Sequence, residues 1–132
     1  MIRWLLRLDA GLETVLAVLC VLLAYGLLGT DRWLLPSWLS VPVLLVVAVV
    51  LQLVAVALWW IAGRPDRVTV RAIAVANAIT ALVFLAWAIA GLGAGTALRT
   101  VLAVSAVLLA ALATAQYTRA PRPLPEPTGA TK

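Results

Sequence analysis

Four long apolar runs, each about the length of a bilayer crossing and separated by short charged clusters, constrain this chain more than any other feature. A hydrocarbon core of about 30 Å needs roughly 20 apolar residues in an α-helix. The runs extend from about Asp9 to Gly29, Val41 to Ala62, Arg71 to Leu92 and Ala97 to Tyr117. Hydrophobic residues make up 65% of the 132, whereas soluble domains carry roughly 45–50% on a comparable count. A chain this short has too little interior to hide that surface from water. The expected class is therefore all-α: an integral membrane four-helix bundle in antiparallel up-down-up-down order, covering 1–118, with a cytoplasmic tail over 119–132.

Local signals punctuate the runs. Gly29-Thr30-Asp31 is expected to stop the first helix. Ser40 is placed to cap the second, with Pro42 in the first turn, where a missing N–H costs little. Gly63-Arg64-Pro65-Asp66 separates the second from the third, and Gly91, Gly93 and Gly95 turn the third into the fourth. Short connections predict that sequential helices pack as neighbours. Pro121, Pro123, Pro125 and Pro127 mark the tail as extended or disordered.

Orientation follows from the basic residues. With four spans, Arg3, Arg7, Arg64, Arg67, Arg71, Arg119, Arg122 and Lys132 share one side, and only Arg32 and Arg99 fall on the other. That asymmetry puts both termini in the cytoplasm, in a cell inner (plasma) membrane. Trp33 and Trp38 suit the outer interface, and Trp4, Trp59 and Trp60 the inner one. The same distribution argues against nucleic acid as a partner despite the net charge of +5, because the arginines flank apolar segments and form no single basic face. A cleaved signal peptide is not expected, since Asp9 and Glu13 interrupt the first run.

No catalytic constellation is visible. The chain has no His and one Cys, Cys20, so it offers no disulfide and no common metal-ligand spacing. Phosphate loops and nucleophile elbows are absent too. The expectation is no enzyme activity, no catalytic residues, no cofactor and no metal. What remains is a set of polar residues at membrane depth, where ionisable groups are costly. Asp9 and Glu13, four apart, share a helix face. At 1.5 Å per residue, Glu13 lies about 9 Å deeper than Arg7, Asn77 about 9 Å deeper than Arg71, and Gln116 about 4.5 Å inward of Arg119, which puts Asn77 level with Glu13 and Gln116 near the level of Asp9. Asp9, Glu13, Arg71, Asn77 and Gln116 should therefore form a polar cluster near the cytoplasmic end, with Arg71 neutralising a carboxylate and the amides joining helices. Gln52, about 18 Å from the inner side, is expected near the midplane as an interhelical hydrogen-bonding group. Ala74/Ala78, Ala86/Ala90 and Ala106/Ala110 are small-residue pairs that allow close helix approach.

The stretch Leu6-Arg7-Leu8-Asp9-Ala10, the Arg64-Pro65 loop followed by Arg71 and Asn77, and the Gln near the end of the fourth run resemble uncharacterised small four-helix integral membrane proteins of GC-rich bacteria. The resemblance covers most of residues 5–118. It implies the architecture and no activity. Small multidrug resistance exporters also have four helices and a Glu in the first, loosely matched by Gly11-Leu12-Glu13-Thr14-Val15. Their weak charge bias, their lack of an Asp one turn before the Glu and their Gly-rich third helix set them apart.

Three functions fit these residues. The first is a non-enzymatic accessory, structural or regulatory membrane component, its partners being the lipid bilayer and another membrane protein or a second copy. The second is a small oligomeric proton- or cation-coupled carrier using Glu13 and Asp9. The third is a membrane enzyme with Asp9, Glu13 and Arg71 as acid, base and anion clamp.

Overall fold

The computed structural model describes residues 1–28 and 33–122. The expected stop at Gly29-Thr30-Asp31, the position of Arg32 and the tail beyond Arg122 lie outside the described residues. The chain forms four helices: α1 (Ile2–Ala24), α2 (Val41–Ile61), α3 (Arg67–Ala90) and α4 (Thr96–Thr118). Of these, α2, α3 and α4 are long and apolar enough to cross a membrane. The 23 residues of α1 include Arg3, Arg7, Asp9 and Glu13.

Helix ends differ from expectation where capping chemistry outranks hydrophobicity. The first helix begins at Ile2, because nothing in Ile2–Leu8 breaks a helix and Arg and Leu are good helix formers. It ends at Ala24 because Gly26, at φ 66, takes a left-handed conformation open to glycine. The N–H of Gly26 then bonds to Leu23 O and that of Leu27 to Leu22 O, the paired bonds of a Schellman stop. Similarly, α3 starts four residues before Arg71, because Asp66 caps it: Asp66 Oδ1 accepts from Thr69 N at 2.9 Å. Ser40 occupies the N-cap position of α2, but its side chain makes no capping bond.

Hydrogen bonding from Thr69 also holds the exposed Asp66 carboxyl below the ordinary Asp range. A lowered folded-state pKa means that ionisation favours the capped helix, so this contribution is present above the ordinary Asp value and fades as the pH falls through the lowered one. We predict that Asp66→Ala destabilises the protein at neutral pH. In a thermal-unfolding series the gap to wild type should close at acid pH; an unchanged gap would mean that Asp66 acts through something other than its charge.

Each helix buries a narrow seam spaced alternately three and four residues apart, the repeat that lets helices interlock side by side. Alanine recurs on these seams every seventh residue: Ala10 and Ala17, Ala48, Ala55 and Ala62, Ala74, Ala81 and Ala88, Ala106 and Ala113, all buried. Small side chains let backbones approach closely. Accordingly α1 packs on α2 and α3 on α4, and the two pairs join through α1 and α4. The expected pairs spaced by four fit less well, since Ala78, Ala86, Ala90 and Ala110 are exposed.

The expectation that all sequential helices are neighbours fails at one place. Among the described residues, no Cα of α2 comes within 8 Å of one in α3. Their connected ends do meet, where Leu58, Ala62 and Val70 share a core cluster with Leu6 and Ala10. Farther along, Val43, Val47 and Leu51 of α2 and Phe84 and Trp87 of α3 line a cavity of about 350 Å³. At that end the chain closes over α3 and α4: Trp33 and Leu35 pack on Ala88, Leu98 and Leu102, and Gly95 N donates to Leu34 O at 2.8 Å. Arg99 Nε donates to Ala88 O at 2.7 Å, placing a cation on the carbonyl end of α3.

The outer surface is inverted relative to a soluble protein. Val46, Val49, Leu53 and Val56 are 63%, 60%, 64% and 59% exposed, while Asp9 and Gln116 are 0% exposed. Apolar outside with polar groups inside suits a hydrocarbon solvent.

Candidate functional site

Asp9, Asn77 and Gln116 lie on three different helices and meet in one hydrogen-bonded triangle. The start of α1, the first half of α3 and the end of α4 share a level there, held by the alanine seams that bring α3 against α4 and by the contact of α1 with α4. Asn77 Nδ2 donates to Asp9 Oδ2 at 2.6 Å and to Gln116 Oε1 at 3.1 Å. Gln116 Nε2 donates to the same Asp9 Oδ2 at 2.8 Å. Both amide hydrogens of Asn77 are thus used, and one carboxylate oxygen collects two donors. Bonds to a carboxylate are the stronger kind, and all three residues are buried, Asp9 and Gln116 completely.

Glu13 is buried one turn deeper than Asp9 on the same helix, 8% exposed, and stands outside the triangle. Two carboxylate oxygens, Asp9 Oδ1 and Glu13 Oε2, are buried without a hydrogen-bond partner among the described residues. Arg71 does not fill that role. Its guanidinium lies over the Tyr117 ring, 4.9 Å from the centroid, and its Nε also lacks a partner among the described residues. The expected neutralisation of Asp9 or Glu13 by Arg71 is corrected accordingly: the two amides, not the arginine, hold the carboxylate. Helical rise sets depth alone, and the azimuth of Arg71 turns it toward α4 instead of α1. Arg7 makes a parallel contact, 4.9 Å above the Trp59 ring, tying α1 to α2.

Gln52 is separate from this cluster. It is exposed on α2, beside a groove of about 330 Å³ that includes Arg7, Gly11 and Thr14, so within one chain it joins no neighbouring helix. Thr14 Oγ1 and Thr80 Oγ1 donate to carbonyls one turn back in their own helices, Ala10 O and Ala76 O, both at 3.0 Å. Among the described residues, no group of three or more His, Cys, Asp or Glu side chains is placed to hold a metal ion.

Sequence reasoning missed two features. The first is Arg99 on the carbonyl end of α3, for which an Arg four residues after a glycine turn is the only signal. The second is the cavity bordered by all four helices, whose lining exposes no polar surface.

Chemically, the triangle can fix three helices in register, and the two unpartnered carboxylate oxygens beside it can accept a proton or a small cation. Compared with family models, with curated proteins and with solved structures, the chain matches none.

Proposed function

We propose that this chain is a non-enzymatic accessory or structural component of a bacterial inner membrane, with the Asp9–Asn77–Gln116 triangle as an internal clamp. In this reading all four helices cross the bilayer in antiparallel order, with both termini cytoplasmic. Eight basic residues against two support that orientation. The 23 residues of α1 extend about 34 Å, enough to cross. Of its charges, Arg3 and Arg7 fall in the first two turns, and Asp9 and Glu13 are covered by neighbouring helices.

The observation that carries the reading is the closure of the triangle. Asn77 donates to both Asp9 and Gln116, and Gln116 donates to Asp9, which is the economy of a structural joint. A membrane protein of this kind acts by presenting a stable surface to a partner chain or to a second copy. Native mass spectrometry on protein extracted gently from its own membranes tests this. The reading expects a stoichiometric second membrane chain or a defined homo-oligomer; a monomer carrying no other chain contradicts it.

One observation favours a second reading, a small proton- or cation-coupled carrier. Asp9 Oδ1 and Glu13 Oε2 are buried without partners among the described residues, as a site for a transported cation or proton requires. In reconstituted vesicles, that reading expects a proton or cation flux that Glu13→Gln and Asp9→Asn abolish. Unchanged flux in both variants defeats it.

A further inference from the structure

Gln52 is the one amide or charged side chain in α2. It is nine residues from the nearer end of the helix at Ile61, about 14 Å along the axis, farther than a glutamine side chain can reach toward water. It is exposed, and among the described residues none of the side-chain hydrogen bonds that join helices includes it. Its amide offers two N–H donors and a carbonyl acceptor. Hydrocarbon satisfies neither, and a polar side chain at such a depth draws helices together. The surface around it is shaped to receive a helix. Val49, Gln52 and Val56, all exposed, follow one another at spacings of three and four, the repeat of paired helices. Beside them runs a groove of about 330 Å³ whose walls include Ala10, Gly11, Thr14 and Ala55, and a Cβ added at Gly11 would meet nothing within 4 Å.

What meets Gln52 must carry both a donor and an acceptor, and must carry them at the same depth. A second copy of this chain does so by symmetry. Two copies inserted with the same orientation are related by a two-fold axis along the membrane normal. That axis puts both Gln52 residues at one level, where each amide can donate to the carbonyl oxygen of the other. An unrelated chain would need a polar side chain at that level by coincidence. We propose that the chain forms a parallel two-fold dimer through the exposed row of α2, with the Gln52 amides of the two copies hydrogen-bonded to each other and the small residues of the groove giving the close approach. The inference rests on the reading of the chain as a membrane component. It stands whether the Asp9 triangle is a clamp or a coupling site.

The test follows self-association of the full-length chain in phosphatidylcholine vesicles. Energy transfer between donor- and acceptor-labelled copies is read across a range of protein-to-lipid ratios, and helicity by circular dichroism. Wild type should dimerise, with transfer that saturates. Gln52→Leu should weaken the dimer roughly tenfold at unchanged helicity, and Gln52→Asn, which keeps an amide, should lose less. Gly11→Leu should weaken it by closing the groove, whereas Val50→Leu, on the opposite side of α2 from Gln52, should not. In a Cys20→Ala background, Val56→Cys should cross-link between copies on oxidation and Val50→Cys should not. No transfer in wild type, or transfer in Gln52→Leu equal to wild type, would overturn the dimer. A chain that stays apart from its copies in vesicles, yet comes out of native membranes with a different stoichiometric chain, overturns this interface and leaves the accessory reading standing. A chain that does not insert into vesicles overturns the membrane reading itself.

Discussion

Replacing Asp9 with Leu should destabilise the protein by about 2–3 kcal/mol, a large change for one side chain. The substitution leaves two amide donors, from Asn77 and Gln116, aimed at an apolar side chain. A buried donor stripped of its partner costs roughly 1–3 kcal/mol, and membrane interiors recover part of that because freed groups find other partners. Asp9→Asn keeps an oxygen at the same place, so its loss should be less than half as large. Chemical unfolding in mixed micelles, with wild type and both variants in the same series, reads the difference. Equal losses for Leu and Asn would mean that shape, not hydrogen bonding, decides at this position.

The alanine seams give an effect of similar size from a different cause. Ala81 is 6% exposed in the middle of α3, on the buried alanine seam of the helix that packs on α4. Leucine there should cost about 3 kcal/mol, because the added carbons must push two backbones apart or leave their preferred rotamers. Ala76→Leu on the exposed side of the same helix should fall within about 0.5 kcal/mol of wild type. The pair separates packing from helix propensity, which is the same in both. If Ala81→Leu were as mild as Ala76→Leu, the seam would not be a close contact.

The existence of four helices was legible because length and apolarity act over whole segments, and single residues do little to blur them. Their ends were less legible, being decided by single residues. Gly26 ends α1 three residues before the expected Gly29, and Asp66 starts α3 before its apolar face begins. Rise per residue, nearly constant in an α-helix, puts Gln116 at the level of Asp9 where the two are found bonded, but it puts Asn77 level with Glu13, whereas Asn77 bonds to Asp9 one turn away. Azimuth is not constant in that way. Arg71 and Gln52 could be assigned a depth, but their directions depend on how each helix turns toward its neighbours, and one lies over Tyr117 while the other faces outward.

The sevenfold alanine spacing was present in the sequence throughout. Reading for pairs four apart hid it, because such pairs occur by chance in any alanine-rich helix. The cavity was out of reach by any such reading. A void depends on the distance between helices far apart along the chain, here set by tight seams within each pair and the gap between α2 and α3.

The central claim is that the polar triangle is a mechanical joint between the two helix pairs, and a double-mutant cycle between Asp9 and Gln116 tests it most directly. Unfolding free energies of Asp9→Leu, Gln116→Leu and the double variant give the coupling between two residues that meet only through the fold. The account predicts a coupling on the order of 1–2 kcal/mol. Strictly additive losses would contradict it, because they would mean that the contact between α1 and α4 bears no part of the stability.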